Sequence, residues 1–282
     1  MHQIPSKNIL LLNPAKLHQL DFQLKTKARS LGFGRRLYYL EVNPETASAL
    51  WLKTQNLDST AISRYAQTGL SHELDFYEAY GEQEGRTFML PHQIIRKPFQ
   101  IRNEFFNQAL ILPNAPAHFD ICPKLFSIQE IRQHMLRALE PLISLQELGY
   151  LYADLKREHF VIYQKWVCLI DFEQVQLLNT TSQAMNATPR YMAPELFQGQ
   201  AKSLQSEVYA LGIIFYEWLT GQRLEATDYQ DWALLHCQHF KPELPTQFQA
   251  LQSLLQNMLR KHSQDRLSDF KAVKQALLTE IA

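Results

Sequence analysis

The chain has 282 residues, of which 46% are apolar, and its 28 lysines and arginines are balanced by 28 aspartates and glutamates. The length fits one two-lobed domain or two small domains, and the apolar content excludes extensive disorder. The zero net charge gives no support for nucleic acid as the main ligand. No segment approaches the roughly eighteen uninterrupted apolar residues of a membrane span. Three widely spaced cysteines, without zinc or redox spacing, predict reduced core residues in a cytoplasmic protein.

The first part of the chain is predicted to consist mainly of strands. Residues 1–21 are expected to be an N-terminal arm, residues 22–31 a strand that runs into Gly32-Phe33-Gly34, and residues 36–42 a second strand before a turn at Asn43-Pro44-Glu45. Because glycine has no side chain, a turn at Gly32 and Gly34 would let backbone amides approach a phosphate. An ordinary hairpin turn explains the same two glycines.

A third strand is predicted at residues 48–54, with Lys53 near its end, followed by a helix over residues 57–80. Residues 87–95 and 105–112 predict two further strands. The proline-rich stretch Pro113-Asn114-Ala115-Pro116 then indicates a lobe boundary. The sequence therefore predicts a small first lobe at residues 22–112 and a mainly helical second lobe at residues 113–282.

The second lobe is predicted to begin with a helix that a capping box starts, Ser127 with Glu130, and that ends near Gly149. Two short apolar strands follow, Phe160–Tyr163 and Val167–Ile170, and late helices are expected at residues 248–259 and 269–278. Asp154 precedes the first of these strands and Asp171 follows the second. A hairpin of this kind would bring two carboxylates to one end, as phosphoryl transfer requires for orienting a hydroxyl and holding a metal ion.

Three later segments add to this pattern: Ala187 to Glu195 (Ala-Thr-Pro-Arg-Tyr-Met-Ala-Pro-Glu), Ser206 to Glu217, and Asp265-Arg266. Together with Tyr152–His159 and Asp171-Phe172-Glu173, they resemble the catalytic loop, metal motif, activation segment and central helix of serine/threonine kinases in the protein-kinase superfamily. The resemblance covers roughly residues 22 to 275. It implies a bilobal α+β fold, with five antiparallel strands and one helix in the small lobe.

The resemblance also implies roles for individual residues. Asp154 would orient the acceptor hydroxyl, Lys156 would neutralise the transferred group, Thr188 would shape the acceptor site and Asp171 would bind magnesium. Glu195 would pair with Arg266 in the second lobe. The residues implied for nucleotide binding are Gly32, Gly34, Lys53, Glu73, Leu112, Asn114 and Val161.

Within that nucleotide site, a glutamate on the helix at residues 57–80 is expected to pair with Lys53 and to hold it toward the phosphates. Glu73 is preferred over Glu78 because Tyr77, four residues further on, points the same way. A solvated glutamate is the alternative. The nucleotide would lie in a cleft, contact the backbone near Leu112 and Asn114, and rest on Val161.

Several residues depart from the superfamily pattern. Leu37 stands where the nucleotide loop has a third glycine, and Trp51 where a small alanine roofs the adenine. His159 replaces a metal-binding asparagine, and imidazole suits softer metals than magnesium. A single-metal site or a preference for manganese is therefore expected, unless His159 is only structural. Glu173 replaces a glycine and can add a carboxylate near the metal.

Ala153 replaces the arginine that normally binds a phosphate on the activation segment. Phosphorylation of Thr180, Thr181 or Ser182 should therefore not be needed for activity. Because the sequence shows no sensor domain, membrane anchor or long tail, control is expected from a separate protein or from the arm.

Three functions remain open at this point. The first is an ATP- and magnesium-dependent serine/threonine protein kinase of bacterial type, acting on a protein substrate. The second is a kinase of lipopolysaccharide-core sugar hydroxyls, because Gly34-Arg35-Arg36, Trp51-Leu52-Lys53, His159-Phe160 and Asp171–Gln176 are similar to that branch. The third is a pseudokinase that serves as a scaffold. Lys53, Asp154 and Asp171 argue against the third function, whereas Leu37, Trp51 and His159 argue for it.

Overall fold

The structure, a computed structural model, describes residues 11–43, 48–56, 61–81, 88–180 and 187–279, with the backbone alone over 61–67. The chain divides into two compact units. The first comprises Met1–Pro116 and Ile170–Glu173, and the second comprises Ala117–Leu169 and Gln174–Ala282. The division falls four residues after the predicted boundary at residues 112 and 113. The predicted turn at Pro44-Glu45, the helix start at 57–60 and strand residue 87 lie outside the described residues.

The first unit contains a five-stranded sheet in the order β1-β2-β3-β7-β4, with antiparallel neighbours throughout, and a separate hairpin of β5 and β6. The strands are β1 (Gln23–Leu24), β2 (Arg35–Asn43), β3 (Ser48–Gln55), β4 (Gln93–Ile95), β5 (Phe99–Ile101), β6 (Glu104–Phe106) and β7 (Ala109–Pro113). Two helices belong to this unit, α1 (Ala28–Leu31) and α2 (Ala61–Tyr80). The predicted α+β class and its five-stranded antiparallel sheet are confirmed.

Alternation along β2 and β3 creates the core of this unit. Tyr38 and Leu40 on β2, like Leu50 and Leu52 on β3, are buried on one face, as the two-residue period of a strand requires. Trp51 and Lys53 therefore share the opposite face of β3. In the register, Lys53 lies between Leu37 on β2 and Leu110 on β7.

The described part of the predicted arm packs into the same core. Leu12 and Leu17 are buried with the sheet residues. The Leu12 backbone N–H donates to Gln93 Oε1 at 2.8 Å, and Gln93 Nε2 donates to the Leu12 carbonyl at 2.7 Å. Residues 11–21 thus belong to the first unit, where the sequence had predicted a separate arm.

The predicted strand over residues 22–31 is wrong. Only Gln23 and Leu24 pair with β2, and residues 28–31 form the short helix α1. The apolar alternation stops after Leu24, and Ala28, Arg29 and Leu31 are good helix formers. The predicted strands at 87–95 and 105–112 are also longer than the observed ones, because residues 105–112 are divided between β6 and β7.

The second unit is mainly helical. Its helices are α3 (Ile128–Glu147), α4 (Pro194–Phe197), α5 (Leu204–Thr220), α6 (Tyr229–Leu234), α7 (Gln252–Met258) and α8 (Phe270–Thr279). The capping box of Ser127 and Glu130 at the start of α3 is confirmed, and so is the end of the helix near Gly149, whose φ is +82°. Near the end of α8, Leu277 is buried, whereas Leu278 is exposed. No helix among the described residues is long and apolar enough to cross a membrane.

Four short strands support the loops of this unit: β8 (Tyr150–Leu151), β9 (Phe160–Tyr163), β10 (Trp166–Leu169) and β11 (Gln176–Leu177). β9 pairs antiparallel with β10, as predicted, and β8 pairs with β11. The loop that carries Asp154 therefore runs from β8 to β9. Helix α5, which is buried at nearly every position, is the predicted central helix. None of the three cysteines forms a disulfide, but only Cys168 is a buried core residue, and Cys122 is exposed.

Candidate active site

In the second unit, Asp154 contacts the two other predicted catalytic residues, Lys156 and Thr188. Lys156 Nζ donates to Asp154 Oδ2 at 2.6 Å, and Thr188 Oγ1 donates to Asp154 Oδ1 at 3.1 Å. Asp154 and Lys156 are only 16% and 21% exposed, so the ion pair is partly shielded from water. Both oxygens of the Asp154 carboxylate are thereby fixed in direction. Such a carboxylate can accept or orient the proton of a hydroxyl group that is brought to it.

The backbone before Asp154 is held from two sides. Ala153 has a φ of +69°, a conformation that is costly for a residue with a Cβ atom. Its N–H donates to the Glu207 carboxylate on α5, and its carbonyl accepts from Lys202 Nζ at 2.5 Å. These two bonds stabilise the strained turn that aims Asp154. The sequence missed Lys202, since nothing local relates it to a residue 49 positions earlier.

Burial changes the acidity of this support. Desolvation raises the pKa of Glu207 to about 7, although hydrogen bonds from the Ala153 and Tyr152 amides oppose the rise. Desolvation also lowers the pKa of Lys202, while the nearby Asp154 and Glu207 carboxylates act in the opposite direction. The Ala153 and Tyr152 amides thus donate hydrogen bonds to a carboxyl group that changes charge near neutral pH.

His159 and Val161 lie at the far end of the same loop. His159 is buried, and its Nδ1 is 2.8 Å from the hydroxyl of Tyr152. Its role as a metal ligand stays a prediction. Val161 is buried in β9, opposite Cys168, and forms an isolated bridge with Ala117. Its contact with a nucleotide base also stays a prediction.

In the first unit, the ammonium group of Lys53 is surrounded by three carboxylates, a group that we call the Lys53 cluster. Its Nζ lies 2.6 Å from Glu73 Oε2, 2.8 Å from Asp171 Oδ1 and 2.8 Å from Glu173 Oε1. Glu78, the rival for Lys53, pairs with Arg96 instead. Glu173 also accepts from Arg35 Nη2 at 2.6 Å. The contacts of Glu173 to Lys53 and Arg35 were not predicted.

The short segment Ile170–Glu173 is held by helix α2. The Phe172 N–H donates to Glu73 Oε1 at 3.0 Å. The Phe172 ring stacks on Phe76 with centroids 5.1 Å apart, and its edge meets Tyr77. Asp171 itself has a φ of +68°. The aromatic contacts fix Phe172, and with it the direction of the Asp171 carboxylate.

The charged groups of the Lys53 cluster shift one another's pKa values. Burial by itself would lower the pKa of Lys53, but the carboxylates of Asp171, Glu73 and Glu173 raise it well above its usual value, so Lys53 stays protonated. Desolvation raises the pKa of Glu73 to about 7, against the pull of Lys53. Negative charge is therefore in excess around a single ammonium group.

The same carboxylates fit a divalent metal ion. Ligand oxygens of Glu73, Asp171 and Glu173 all lie within 4.8 Å of one another. Magnesium, calcium and manganese prefer such oxygen ligands. The chemistry of this donor set is therefore compatible with the metal ion that the sequence resemblance implies, and Asp171 is its predicted ligand.

The two glycines predicted to approach a phosphate lie in a helical turn. The N–H groups of Phe33 and Gly34 donate to the carbonyls of Ser30 and Leu31, at 3.2 and 2.9 Å. Gly32 ends helix α1 in a helical conformation, and Gly34 has a φ of +77°. Because these amides are used within the chain, a phosphate contact at Gly32 and Gly34 would require the turn to rearrange. Their nucleotide contact stays a prediction.

The residues predicted to contact a nucleotide base, Leu112 and Asn114, lie in β7 and directly after it. Leu112 on β7 pairs with Trp51 on β3. The Trp51 indole Nε1 donates to Asn114 Oδ1 at 2.9 Å, and the Asn114 backbone N–H donates to the Ala49 carbonyl at 2.8 Å. Trp51 is thus tied to the residue just after β7. Leu112 and Asn114 remain candidates for the base contact.

A buried ion pair confirms another part of the sequence pattern. Arg266 donates to both carboxylate oxygens of Glu195, at 2.8 and 3.0 Å. The Arg266 side chain is fully buried and also donates to the carbonyls of Gln205 and Arg260. Its guanidinium lies over the ring of Tyr209. This pair fixes the Ala193-Pro194-Glu195 segment to the second unit.

Comparison with known proteins agrees with this geometry. The family described as protein kinase domain matches residues 101–278, more than half of the chain. The chain is 35% identical over 100 residues to the serine/threonine-protein kinase YPK2/YKR2 of Saccharomyces cerevisiae, a stretch that covers 34% of this chain and 15% of that protein. It is 29% identical over 161 residues to the serine/threonine-protein kinase PLK4 of Xenopus tropicalis, covering 55% of this chain and 17% of that protein.

A third relative is the cGMP-dependent protein kinase of Plasmodium berghei, which is 33% identical over 88 residues. That match covers 31% of this chain and 10% of the relative. The chain thus spans less than a fifth of the length of these curated relatives. The likeness concerns one domain of longer proteins.

Proposed function

The chain belongs to the protein kinase domain family, and we propose that it transfers the γ-phosphoryl group of ATP to a serine or threonine hydroxyl of a protein substrate. The family implies the use of ATP and a divalent metal ion in general. The names of its relatives in yeast and frog, both called serine/threonine-protein kinases, support this type of acceptor.

The contact of Asp154 with Lys156 and Thr188 carries the proposal. Asp154 orients the acceptor hydroxyl, and its own direction is fixed by the two hydrogen bonds that it accepts. Lys156 supplies positive charge next to the transferred group, and the Thr188 hydroxyl shapes the place of the acceptor. Phosphoryl transfer depends mainly on such positioning and charge compensation rather than on covalent chemistry by the protein.

The residues proposed to hold the nucleotide are Gly32, Gly34, Lys53, Glu73, Leu112, Asn114 and Val161. Lys53, fixed by Glu73, supplies a cation for the phosphates, and Asp171 is the proposed metal ligand, with His159 as a second candidate. When bound, the metal ion neutralises charge on the outer phosphates. Magnesium is the proposed ion. Manganese is the alternative, because an imidazole at residue 159 suits softer metals.

A sugar hydroxyl, as in lipopolysaccharide-core kinases, is the second candidate acceptor. It depends on the similarity of Gly34-Arg35-Arg36 and His159-Phe160 to that branch, and the names of the serine/threonine-protein kinase relatives do not favour it. The Ala193-Pro194-Glu195 segment, fixed by Arg266, supports the peptide acceptor. A bacterial type of serine/threonine kinase, acting on a protein in the cytoplasm, is the version that we propose.

The test is transfer of radiolabelled γ-phosphate to a serine/threonine peptide library and to purified core sugars, with magnesium or manganese. We expect label on peptides, and loss of more than about 99% of it in Asp154→Asn, because general-base and orienting groups contribute roughly 10²–10⁴-fold. Asp75→Asn, an exposed aspartate on α2, is the matched control and should keep full activity. Label on sugars alone would show that the acceptor is a sugar hydroxyl instead of a peptide hydroxyl. Nucleotide binding without any transfer would indicate a pseudokinase.

We also propose that activity does not need phosphorylation of the activation segment, because Ala153 offers no cation to a phosphate there. Of the candidate sites, Thr180 is described and exposed, whereas Thr181 and Ser182 lie outside the described residues. Phosphatase treatment should leave the transfer rate unchanged. A loss of activity after this treatment, restored by autophosphorylation, would contradict the proposal.

A further inference from the structure

Carboxylates already surround the Lys53 ammonium, which donates to Glu73 and Asp171 and forms an ion pair with Glu173. A protonated lysine has three N–H donors. The three carboxylates of the Lys53 cluster lie within 2.8 Å of Nζ and come from three different residues, Glu73, Asp171 and Glu173. An anionic phosphate that approached Lys53 would therefore have to take the place of one carboxylate.

Glu173 can leave Lys53 at a lower cost than Glu73 can. Glu73 is anchored, because its side chain is 1% exposed and its second oxygen accepts the Phe172 N–H. Glu173 has its second oxygen on Arg35, so it keeps a cationic partner when it leaves Lys53. Arg35 is 37% exposed and directly follows Gly34, whose positive φ marks a turn. The pair therefore lies next to the predicted phosphate loop.

The balance of charge gives the direction of the effect. Among the described residues, the three carboxylates of the Lys53 cluster are paired with two cations, Lys53 and Arg35, so negative charge is in excess when the acids are ionised. Such a site repels the phosphates of a free nucleotide and attracts a divalent cation. A nucleotide that arrives together with a metal ion meets no such repulsion, because the ion offers new partners to the released carboxylates.

We propose that Glu173 occupies the phosphate position on Lys53 and thereby makes nucleotide binding dependent on a divalent cation. This inference rests on the proposed function only in naming ATP as the ligand. A glycine at residue 173, which the protein-kinase pattern has, would remove this carboxylate from the side of Lys53. Glu173 is thus a residue that determines binding, and it acts through Lys53.

The experiment measures the dissociation constant of a non-hydrolysable ATP analogue by titration calorimetry, with EDTA and with magnesium, for wild type, Glu173→Gln and Glu173→Gly. In EDTA we expect both variants to bind the analogue about tenfold more tightly than wild type, because one competing charge is gone. The gain that magnesium brings should shrink accordingly. Glu78→Gln, an ion-paired carboxylate on α2, is the control and should behave as wild type.

Unchanged or weaker binding of the analogue in EDTA, for variants with wild-type thermal unfolding midpoints, would overturn the inference. If only Glu173→Gly lost stability, the isosteric Glu173→Gln would decide. The readout is separate from turnover. Glu173-dependent binding in a protein without transfer activity would leave the inference standing and remove the proposed function. Asp154-dependent transfer together with metal-independent nucleotide binding would support the proposed function and overturn the inference. If neither the wild type nor a variant bound the analogue, both the inference and the proposed function would be wrong.

Discussion

Two charged centres of the molecule, one in each unit, differ in how they are balanced. In the second unit, Arg266 meets a single carboxylate, Glu195, and its remaining donors go to backbone carbonyls. In the first unit, three carboxylates share the Lys53 ammonium. The Arg266 pair is neutral and complete, whereas the Lys53 cluster has excess negative charge.

This difference separates a structural ion pair from a binding site. A buried pair whose donors are all satisfied has nothing left to offer a ligand, and breaking it leaves an uncompensated charge. A cluster that keeps excess charge invites a cation and repels an anion. Burial of charge alone therefore does not mark a functional site. The excess of one sign around the buried group does.

The strongest test of the comparison is Arg266→Met. Because it leaves Glu195 buried without a partner, we expect a loss of about 3–5 kcal/mol in the free energy of unfolding. Urea unfolding at pH 7, followed by circular dichroism, measures it. A loss below about 1 kcal/mol would mean that the pair is not a structural anchor.

The second test uses pH to act on the Lys53 cluster. The folded Glu73 carboxyl has a pKa of about 7 against 4.5 for an ordinary glutamate, so it keeps its proton where the unfolded chain has lost it. Its contribution to stability is full below pH 4.5 and is lost as pH rises to about 7. Replacing Glu73 by Gln should remove a fall of about 1–3 kcal/mol over this range.

The measurement for Glu73→Gln is the slope of the unfolding free energy against pH, because the lost contact with Lys53 changes only the offset. Glu78→Gln, on the same helix, should keep the wild-type slope. An unaltered slope in Glu73→Gln would show that Glu73 does not titrate near neutral pH.

A smaller effect is expected for Arg35→Met. The Arg35–Glu173 contact of 2.6 Å is partly exposed, so solvent screens it and its loss should cost up to about 1 kcal/mol. The cost should fall in 1 M salt, which distinguishes screened charge from lost packing. If the loss of stability did not depend on salt, Arg35 would stabilise the protein through the packing of its aliphatic part rather than through its charge.

The smallest effect should come from Lys271→Met. Lys271 and Glu147 lie 2.8 Å apart but are 55% and 57% exposed. Exposed pairs contribute about 0–0.5 kcal/mol, so the urea midpoint should hardly move. A loss of unfolding free energy comparable with that of Arg266→Met would show that burial and charge balance do not determine how much an ion pair stabilises this protein.

Local patterns in the sequence predicted a large part of the fold. The capping box of Ser127 and Glu130 and the end of α3 near Gly149 depend on residues a few positions apart, so the sequence contains the whole signal. The choice of Glu73 over Glu78 followed from helical spacing to Tyr77. The predicted strand at residues 22–31 was wrong because the prediction continued the extended conformation of the buried Phe22 into a stretch that has helical propensity.

The contacts that distinguish this site could not be predicted from the sequence, because they join residues that are far apart along the chain. Arg35 and Glu173 are 138 residues apart, and Trp51 and Asn114 are 63 apart. No local propensity relates such residues, because their proximity results from the packing of separate elements. The departures Glu173 and Trp51 were visible in the sequence, but their partners could be identified only in the folded chain.

The Glu195–Arg266 pair also has a consequence for the order of folding. It closes a segment of 71 residues, which costs about 4 kcal/mol of chain entropy before the contact repays it. We therefore expect the pair to form after the rate-limiting step of folding. Arg266→Met should then speed unfolding in stopped-flow experiments far more than it slows refolding. The ion pair would determine the lifetime of the folded second unit rather than the speed at which that unit is reached.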